Sequence, residues 1–390
     1  MQNFFKVQKS YKKARLSTLN LRHGEVQTPV FMPVGTKGTI KGLTSQEIEN
    51  LDYKLILANT YHLAFQPGAS QIEKYKGIHN FMNYSFNILT DSGGYQMVSL
   101  EKLCQITEQG ANFQSHTLPS ETIILTPEKS IYIQNQINSD IMMVLDDVVS
   151  PVNTTEDRIK EACERTIRWV DRNIQEKKLR NSNQAMYAII QGGIDKNLRL
   201  QCIQQLKDKD VQGFAIGGLS GGENKEKFWE TVDFCTDHLP KDKPVYLMGV
   251  GYPEDLIVCA ALGVDQFDCV FPTRTARYGM AFSRFGPLKI KNKEFKYDFR
   301  PIDQNCLCQA CQQYTRAYLN QISKQEVFCS LLSQHNLFFL QKLMNQIRKA
   351  IDEQKLEEFM QLFLINYFQN GQKIPNWIKN ALGKYKLINL

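Results

Sequence analysis

Apolar residues fall into two alternating kinds of run along the 390-residue chain. Eight runs are short, continuously apolar and partly β-branched: Val30–Val34, Leu55–Leu57, Ile88–Thr90, Ile141–Leu145, Tyr187–Ile190, Gly213–Ile216, Val245–Met248 and Gln266–Val270. Continuous rather than alternating apolarity suits parallel strands covered on both faces. Between them apolar residues return at helical spacing, over Ser45–Leu51, Pro127–Ile137, Thr155–Lys177, Lys196–Leu206, Asn224–Leu239 and Pro253–Leu262. Thr44 with Glu47, and Thr154 with Asp157, offer caps for the first turns. This alternation predicts a (β/α)8 TIM barrel over residues 1–300, with an open doubly wound sheet as the fold-level alternative. Ser99 to Thr126 interrupts it with two part-alternating runs around Gly110 and Pro119, which predict an inserted hairpin. The stretch from Gln313 to Leu390 is helical in pattern, broken at Gly371 and Pro375, with a basic end at Lys379, Lys384 and Lys386. Residues 301–390 are expected to form a C-terminal zinc-binding subdomain with helices packed on the barrel.

Barrels carry their chemistry at the carboxyl ends of the strands. Those ends read Asn59-Thr60, Asp91-Ser92-Gly93-Gly94, Asp146-Asp147, Gln191-Gly192-Gly193, Gly217-Gly218, Gly249-Val250-Gly251 and Asp268. Carboxylates, a carboxamide and glycines converge there. His62 is the only histidine near a strand end, so an open metal-hydrolase site, which needs several imidazole or carboxylate ligands, fits poorly. After Asp91, the glycines allow close backbone approach to a ligand and Tyr95 offers a stacking face; a turn with a capping aspartate is the plainer reading. Adjacent Asp146 and Asp147 face opposite ways in a strand, so one enters the pocket. Gln191 and the loop Gly217 to Gly222 suit the edge of a purine-like base, with a phosphate cradle as the competing use. In the stretch Val264–Arg277, Asp268 precedes an expected turn at Phe271-Pro272-Thr273 and the pair Arg274 and Arg277. That is an acid beside a phosphate-binding surface, or an ordinary salt bridge at a strand end.

Composition narrows the partners. The net charge is +7, and Thr273 to Arg300 carry eight Lys and Arg against Glu294 and Asp298. A basic run directly after Asp268 favours a polyanion over a plain solvated face. No apolar run approaches the roughly 20 residues that cross a bilayer, and the start lacks a signal-peptide core. Lys6, Lys9, Lys12, Lys13 and Arg15 resemble a transit peptide in charge, yet barrel-like patterning begins at Thr28, so the segment reads as part of a cytoplasmic domain. Of ten cysteines, most are scattered through apolar segments as free thiols. Cys306, Cys308 and Cys311 cluster, and His335, opening a helical pattern, can close a four-ligand site with no open position. That set argues for structural Zn2+, although His238 and other histidines remain available as the fourth ligand.

TPVFMPVGT (residues 28–36), NTYHL (59–63), LTDSGGYQMVSL (89–100), AIGGLSGGE (215–223), YLMGVG (246–251), FDCVFPTRTAR (267–277) and CLCQACQ (306–312) together resemble tRNA-guanine transglycosylases. The resemblance runs in order from about Phe5 to Phe368. It implies exchange of the anticodon wobble guanine for a 7-deazaguanine base, with no diffusible cofactor consumed. Carried over by motif, Asp268 is the implied nucleophile and Asp91 the general acid/base. Ser92, Gly93, Gly94, Asp146, Gln191, Gly218 and Leu219 are implied to bind the base, with Tyr95 and Met248 sandwiching its ring. Gly249, Val250, Gly251, Tyr252, Pro253, Glu254 and Asp255, and Thr273, Arg274, Thr275, Ala276 and Arg277, match tRNA-contacting stretches. Val148 and Gly221 stand where the bacterial pattern tends to have cysteine and valine, which favours the bulkier queuine over 7-aminomethyl-7-deazaguanine. The eukaryotic-type resemblance also implies a non-catalytic paralogous partner subunit rather than a homodimer, and peripheral association with the mitochondrial outer membrane. No accessory RNA-binding domain is expected after the zinc region.

Overall fold

A computed structural model of the protein describes residues 3–94, 104–114, 122–369, 373–385 and 387. Tyr95, Pro119, Gly371 and Lys386, named above, lie outside them. Among the described residues eight parallel strands close into a barrel in chain order. They are β4 (Val30–Gly35), β5 (Leu55–Asn59), β6 (Asn87–Asp91), β10 (Ile141–Met143), β11 (Ala185–Ile190), β12 (Gly213–Ile216), β13 (Val245–Leu247) and β14 (Gln266–Cys269). The ring is sealed where Gln266 to Cys269 pair with Val30 to Pro33. β11 is buried at every position, as continuous apolarity demands of a strand with helices outside and packed side chains inside.

The expected helices form within a residue or two of the expected ends. Thr44 and Glu47 make a reciprocal capping box at α1 (Ser45–Asn50). The long helix over residues 156–179 is capped by Thr155 rather than Thr154, because it is the Thr155 side chain that accepts from the Arg158 N–H.

Three segments differ from expectation. Residues 5–28 form an antiparallel sheet, β1 (Phe5–Tyr11), β2 (Ala14–Leu21) and β3 (Gly24–Thr28), across the amino-terminal face of the barrel. It is fastened there by buried Arg15, whose Nε is 3.1 Å from Asp265 Oδ1 and whose Nη1 is 2.7 Å from the Lys241 carbonyl. The insertion is a three-stranded antiparallel sheet, β7 (Cys104–Ile106), β8 (Ala111–Gln114) and β9 (Thr122–Leu125), rather than a hairpin. Finally, Phe271-Pro272-Thr273 is no turn: it opens a helix, Phe271–Arg277. Proline is tolerated in a first turn because its missing N–H would be unpaired there anyway.

The chain after the barrel encloses a second core of Ile302, Leu319, Phe328, Leu331 and Leu332, joined by Ala276, Ala281 and Ile290. One helix, Glu326–Asp352, serves both cores, with Phe338 packed against each.

Candidate active site

All the candidate acids sit where the barrel strands end. Asp268, in β14, is aimed by two donors on one oxygen. The Tyr246 hydroxyl reaches Oδ1 at 2.5 Å and the Gly249 N–H at 2.8 Å. Oδ2 takes no hydrogen bond from the described residues. Burial raises the Asp268 carboxyl above its ordinary range, and these two bonds oppose the rise.

Asp91 ends β6. Its Oδ2 accepts from Asn59 Nδ2 at 2.5 Å, and its Oδ1 from the N–H groups of Thr60 at 3.0 Å and Gly93 at 3.2 Å. Burial nonetheless pushes its pKa to about 7, with the Asp268 charge adding to the rise and the three donors opposing it. The Asp268 charge thus favours the protonated form of Asp91.

Asp146 and Asp147 part as the alternation requires. Asp147 is fully buried and held by Arg158 at 2.9 and 2.7 Å and by Arg165 at 2.5 Å. Asp146 turns the other way, accepting from Gln191 Nε2 at 2.6 Å and more weakly from Ser92 Oγ at 3.5 Å. Burial lifts its pKa to about 6; the Gln191 bond opposes this and the Asp147 charge adds to it. Two glycines make room here. A Cβ on Gly94 would lie 2.6 Å from Asp146 Oδ1, and one on Gly218 would lie 2.3 Å from Gln191 Oε1. The Met248 sulfur lies beside Gly217. The result is a carboxylate, a carboxamide and open backbone at adjoining strand ends, which suits the alternating donors and acceptors of a purine-like edge.

The basic rim is partly exposed. Arg274 and Tyr252 face solvent, while Glu254, Thr275 and Arg277 are half-buried. Val250, Gly251, Pro253, Asp255, Thr273 and Ala276 are buried and support the backbone. The rings of Tyr252 and Phe271 meet at 4.0 Å, joining the two rim segments. Tyr278, Tyr297 and Phe299, each more than 70% exposed, extend the rim along the basic stretch. None of the three was singled out in the sequence, although aromatics among Lys and Arg were a usable signal. Tyr246 was missed too. Inside an apolar strand run its side chain is indistinguishable from core.

Cys306, Cys308, Cys311 and His335 converge, all buried, with ligand atoms within 4.8 Å of one another. His335 Nδ1 is 3.8, 3.3 and 3.4 Å from the three sulfurs, while Nε2 meets the Phe282 carbonyl at 2.6 Å. A tetrahedral zinc with sulfur and nitrogen ligands spans S···N edges of about 3.5 Å. The carbonyl on Nε2 fixes the ring so that Nδ1 can ligate. The donor set therefore fits a closed Zn2+ site.

A second group, His23, His79 and Asp140, lies at the opposite face of the barrel. The imidazoles stack at 3.7 Å and reach the two Asp140 oxygens at 2.6 and 2.9 Å. The Ile88 N–H also donates to Asp140, and Arg22 Nε stands 3.4 Å away. With those oxygens engaged and a guanidinium alongside, the group is a hydrogen-bonded latch joining the turn before β3, the helix Ile78–Met82, β6 and the residue before β10.

A family model described as queuine tRNA-ribosyltransferase matches residues 10–369. A queuine tRNA-ribosyltransferase catalytic subunit of Caenorhabditis elegans is 45% identical over 394 residues, covering 96% of this chain and 97% of the relative. The catalytic subunit of Schizosaccharomyces pombe is 45% identical over 388 residues, covering 97% and 94%. A queuine tRNA-ribosyltransferase of the bacterium Caldanaerobacter subterraneus is 47% identical over 363 residues, covering 93% and 96%.

Proposed function

The chain belongs to the queuine tRNA-ribosyltransferase family, and from that membership we propose that it replaces the wobble guanine of a queuosine-type tRNA anticodon with queuine by double displacement. The Asp268 arrangement carries the mechanism. With Tyr246 and Gly249 both on Oδ1, Oδ2 keeps a free lone pair and attacks C1′ of the target ribose. The glycosidic bond breaks, its electron pair leaves with guanine, and protonated Asp91 supplies the proton. A ribosyl–aspartate ester results. Asp91, now ionised, takes the ring proton of the incoming base as that nitrogen attacks C1′ and Asp268 departs. A carboxyl titrating at about 7 suits both directions. The target nucleotide must leave its stack to reach Asp268. Ser92, Gly93, Gly94, Asp146, Gln191, Gly218, Leu219 and Met248 receive its base, with Tyr95 as the proposed second ring face. Arg274 and Arg277, with the 249–255 segment, grip the anticodon loop.

Radiolabelled guanine exchange into tRNA tests this directly. Asp268→Ala should abolish both exchange and the enzyme–RNA adduct on a denaturing gel; full activity in that variant would sink the nucleophile assignment.

Queuine is favoured over 7-aminomethyl-7-deazaguanine by Gly221 and Val148. Gly221 lies against the 146–152 segment, where its Cβ would come within 2.7 Å of Pro151 Cδ. Overall identity does not choose between the bases, since eukaryotic and bacterial relatives match at 45% and 47%. Asp91, Asp146 and Asp268 together argue against a non-catalytic subunit. Relatives named as catalytic subunits support pairing with a paralogous partner, which mass measurement of the complex tests. We further propose a barrel region over 1–300, a structural Zn2+ in 301–390, and a cytoplasmic setting, in which free cysteines persist. No helix among the described residues is long and apolar enough to cross a membrane.

A further inference from the structure

Arg199 is fully buried, in the helix Lys196–Leu206 behind the base pocket. No carboxylate pairs with it among the described residues; it is satisfied by carbonyls alone. Nε and Nη2 meet the Gly193 oxygen at 2.8 and 2.7 Å, Nη1 meets Ile190 at 2.6 Å, and Nη2 meets Gly217 at 2.8 Å. An enclosed guanidinium with no anionic partner is costly to keep, and an apolar side chain of similar volume would fill the same space.

What the fork joins accounts for its presence. Ile190 and Gly193 flank Gln191, and Gly217 directly precedes Gly218. One planar cation therefore spans the ends of β11 and β12, at the two places that present the carboxamide and the open backbone to the base. The fit is close on both sides. A Cβ on Gly192 would lie 2.8 Å from the backbone nitrogen of Arg199, so the helix that carries the fork abuts this loop, and one on Gly217 would lie 2.9 Å from Gln191 Nε2. The Gly217 carbonyl that accepts from Arg199 belongs to the same peptide group as the Gly218 N–H. Drawing electron density to that oxygen makes the N–H a better donor.

We infer that Arg199 is a positioning residue of the base pocket, holding Gln191 and the Gly217–Gly218 peptide at a fixed separation and strengthening the Gly218 N–H toward the bound base. The inference rests on the reading that this pocket takes the exchanged base. Lysine cannot replace the fork, because an ammonium is a single point that does not bridge three separated carbonyls.

The experiment is steady-state exchange of radiolabelled guanine by the full zinc-loaded chain, varying guanine and tRNA in turn, for wild type, Arg199→Met and Arg199→Lys. Displacement of base-reading groups by an ångström costs about a hundredfold, so the guanine KM should rise about ten- to a hundredfold in both variants while the tRNA KM stays within about threefold. A purely structural role would instead lower the active fraction, reducing kcat and leaving both KM values in place. That result overturns the inference, as does a folded variant with an unchanged guanine KM. Failure of both variants to fold would also overturn it, since the residue would then serve the fold rather than the pocket. A wild type that forms the RNA adduct yet exchanges no guanine removes the base-pocket reading and this inference with it; unequal guanine KM values require that reading to hold.

Discussion

The chemistry proposed at Asp91 and Asp268 turns on which carboxyl keeps its proton, and the donors around each bear on it. Asn59 donates to ionised Asp91 and so lowers its pKa; losing that bond raises the pKa further above its present value of about 7. Asn59→Ser keeps an oxygen to cap the following helix, where Asn59 now accepts from the His62 N–H, but gives up the reach to Asp91. A hydrogen bond to a charged acceptor is worth about 1.5–3 kcal/mol, and one pKa unit about 1.4, so a rise of at least about one unit follows. Protonated Asp91 would then persist to higher pH. In single-turnover guanine release, the alkaline limb should move up by that amount, and an unmoved limb would remove Asp91 as the acid. Tyr246→Phe takes one of two donors from the Asp268 charge, which should slow adduct formation about ten- to a hundredfold with little change in tRNA KM. Quenched time points on a denaturing gel measure it. The place of both acids at strand ends was legible in the sequence because charged residues ending apolar runs are conspicuous. Tyr246 was not, because its hydroxyl finds Asp268 only through the register that sets Tyr246 opposite Gln266.

At the scale of elements, strand ends were legible and their mutual approach was not. Eight apolar runs announce eight parallel strands, since a strand covered on both faces has little freedom in composition. The amino-terminal sheet escaped notice because β1 exposes nearly every residue after Phe5, leaving a polar run with no clean alternation. The helix at Phe271–Arg277 stands where the sequence predicts a turn, because proline reads as a stop unless the residues after it wind. Nothing in the order of residues places the loop Gly217 to Gly222 against Pro151, yet that contact governs Gly221→Val. A valine there meets Pro151 at its first carbon, so the two loops must separate or the side chain must intrude on the pocket. Overpacking of this kind costs about 1–3 kcal/mol, and we expect queuine KM to rise about ten- to a hundredfold with guanine KM changed less. Side-by-side incorporation assays decide it. Equal effects on both bases would mean that Gly221 serves the loop, and not the choice of substrate.

Over the whole molecule the helix Glu326–Asp352 packs in both the cysteine-bearing region and the barrel, and we propose that metal content thereby bears on RNA binding. His335 and Asn336 are neighbours on the helix Glu326–Asp352. His335 offers Nδ1 to the cysteines and Nε2 to the Phe282 carbonyl. Asn336 donates to the carbonyls of Pro272 at 2.9 Å and Met280 at 3.0 Å, and accepts from the Phe282 N–H at 2.8 Å. Pro272 lies in the first turn of the helix that carries Arg274 and Arg277. A cation held by the three sulfurs and His335 would brace, through the adjacent Asn336, the element proposed to grip the anticodon loop. The spacing of the cysteines disclosed the buried Cys306, Cys308, Cys311 and His335 cluster, but the route from it to the arginines depends on Asn336, whose side chain is silent in the sequence. Cys308→Ala should lose about one equivalent of zinc and melt roughly 5 °C lower or more, since metal binding and folding are coupled. Loosening this helix should raise the tRNA KM about tenfold while leaving the guanine KM nearly unchanged, because phosphate contacts position the RNA and do not read the base. That is the reverse of the split expected for Arg199. A Cys308→Ala enzyme that lacks zinc yet keeps its tRNA KM would confine the metal to the stability of its own core.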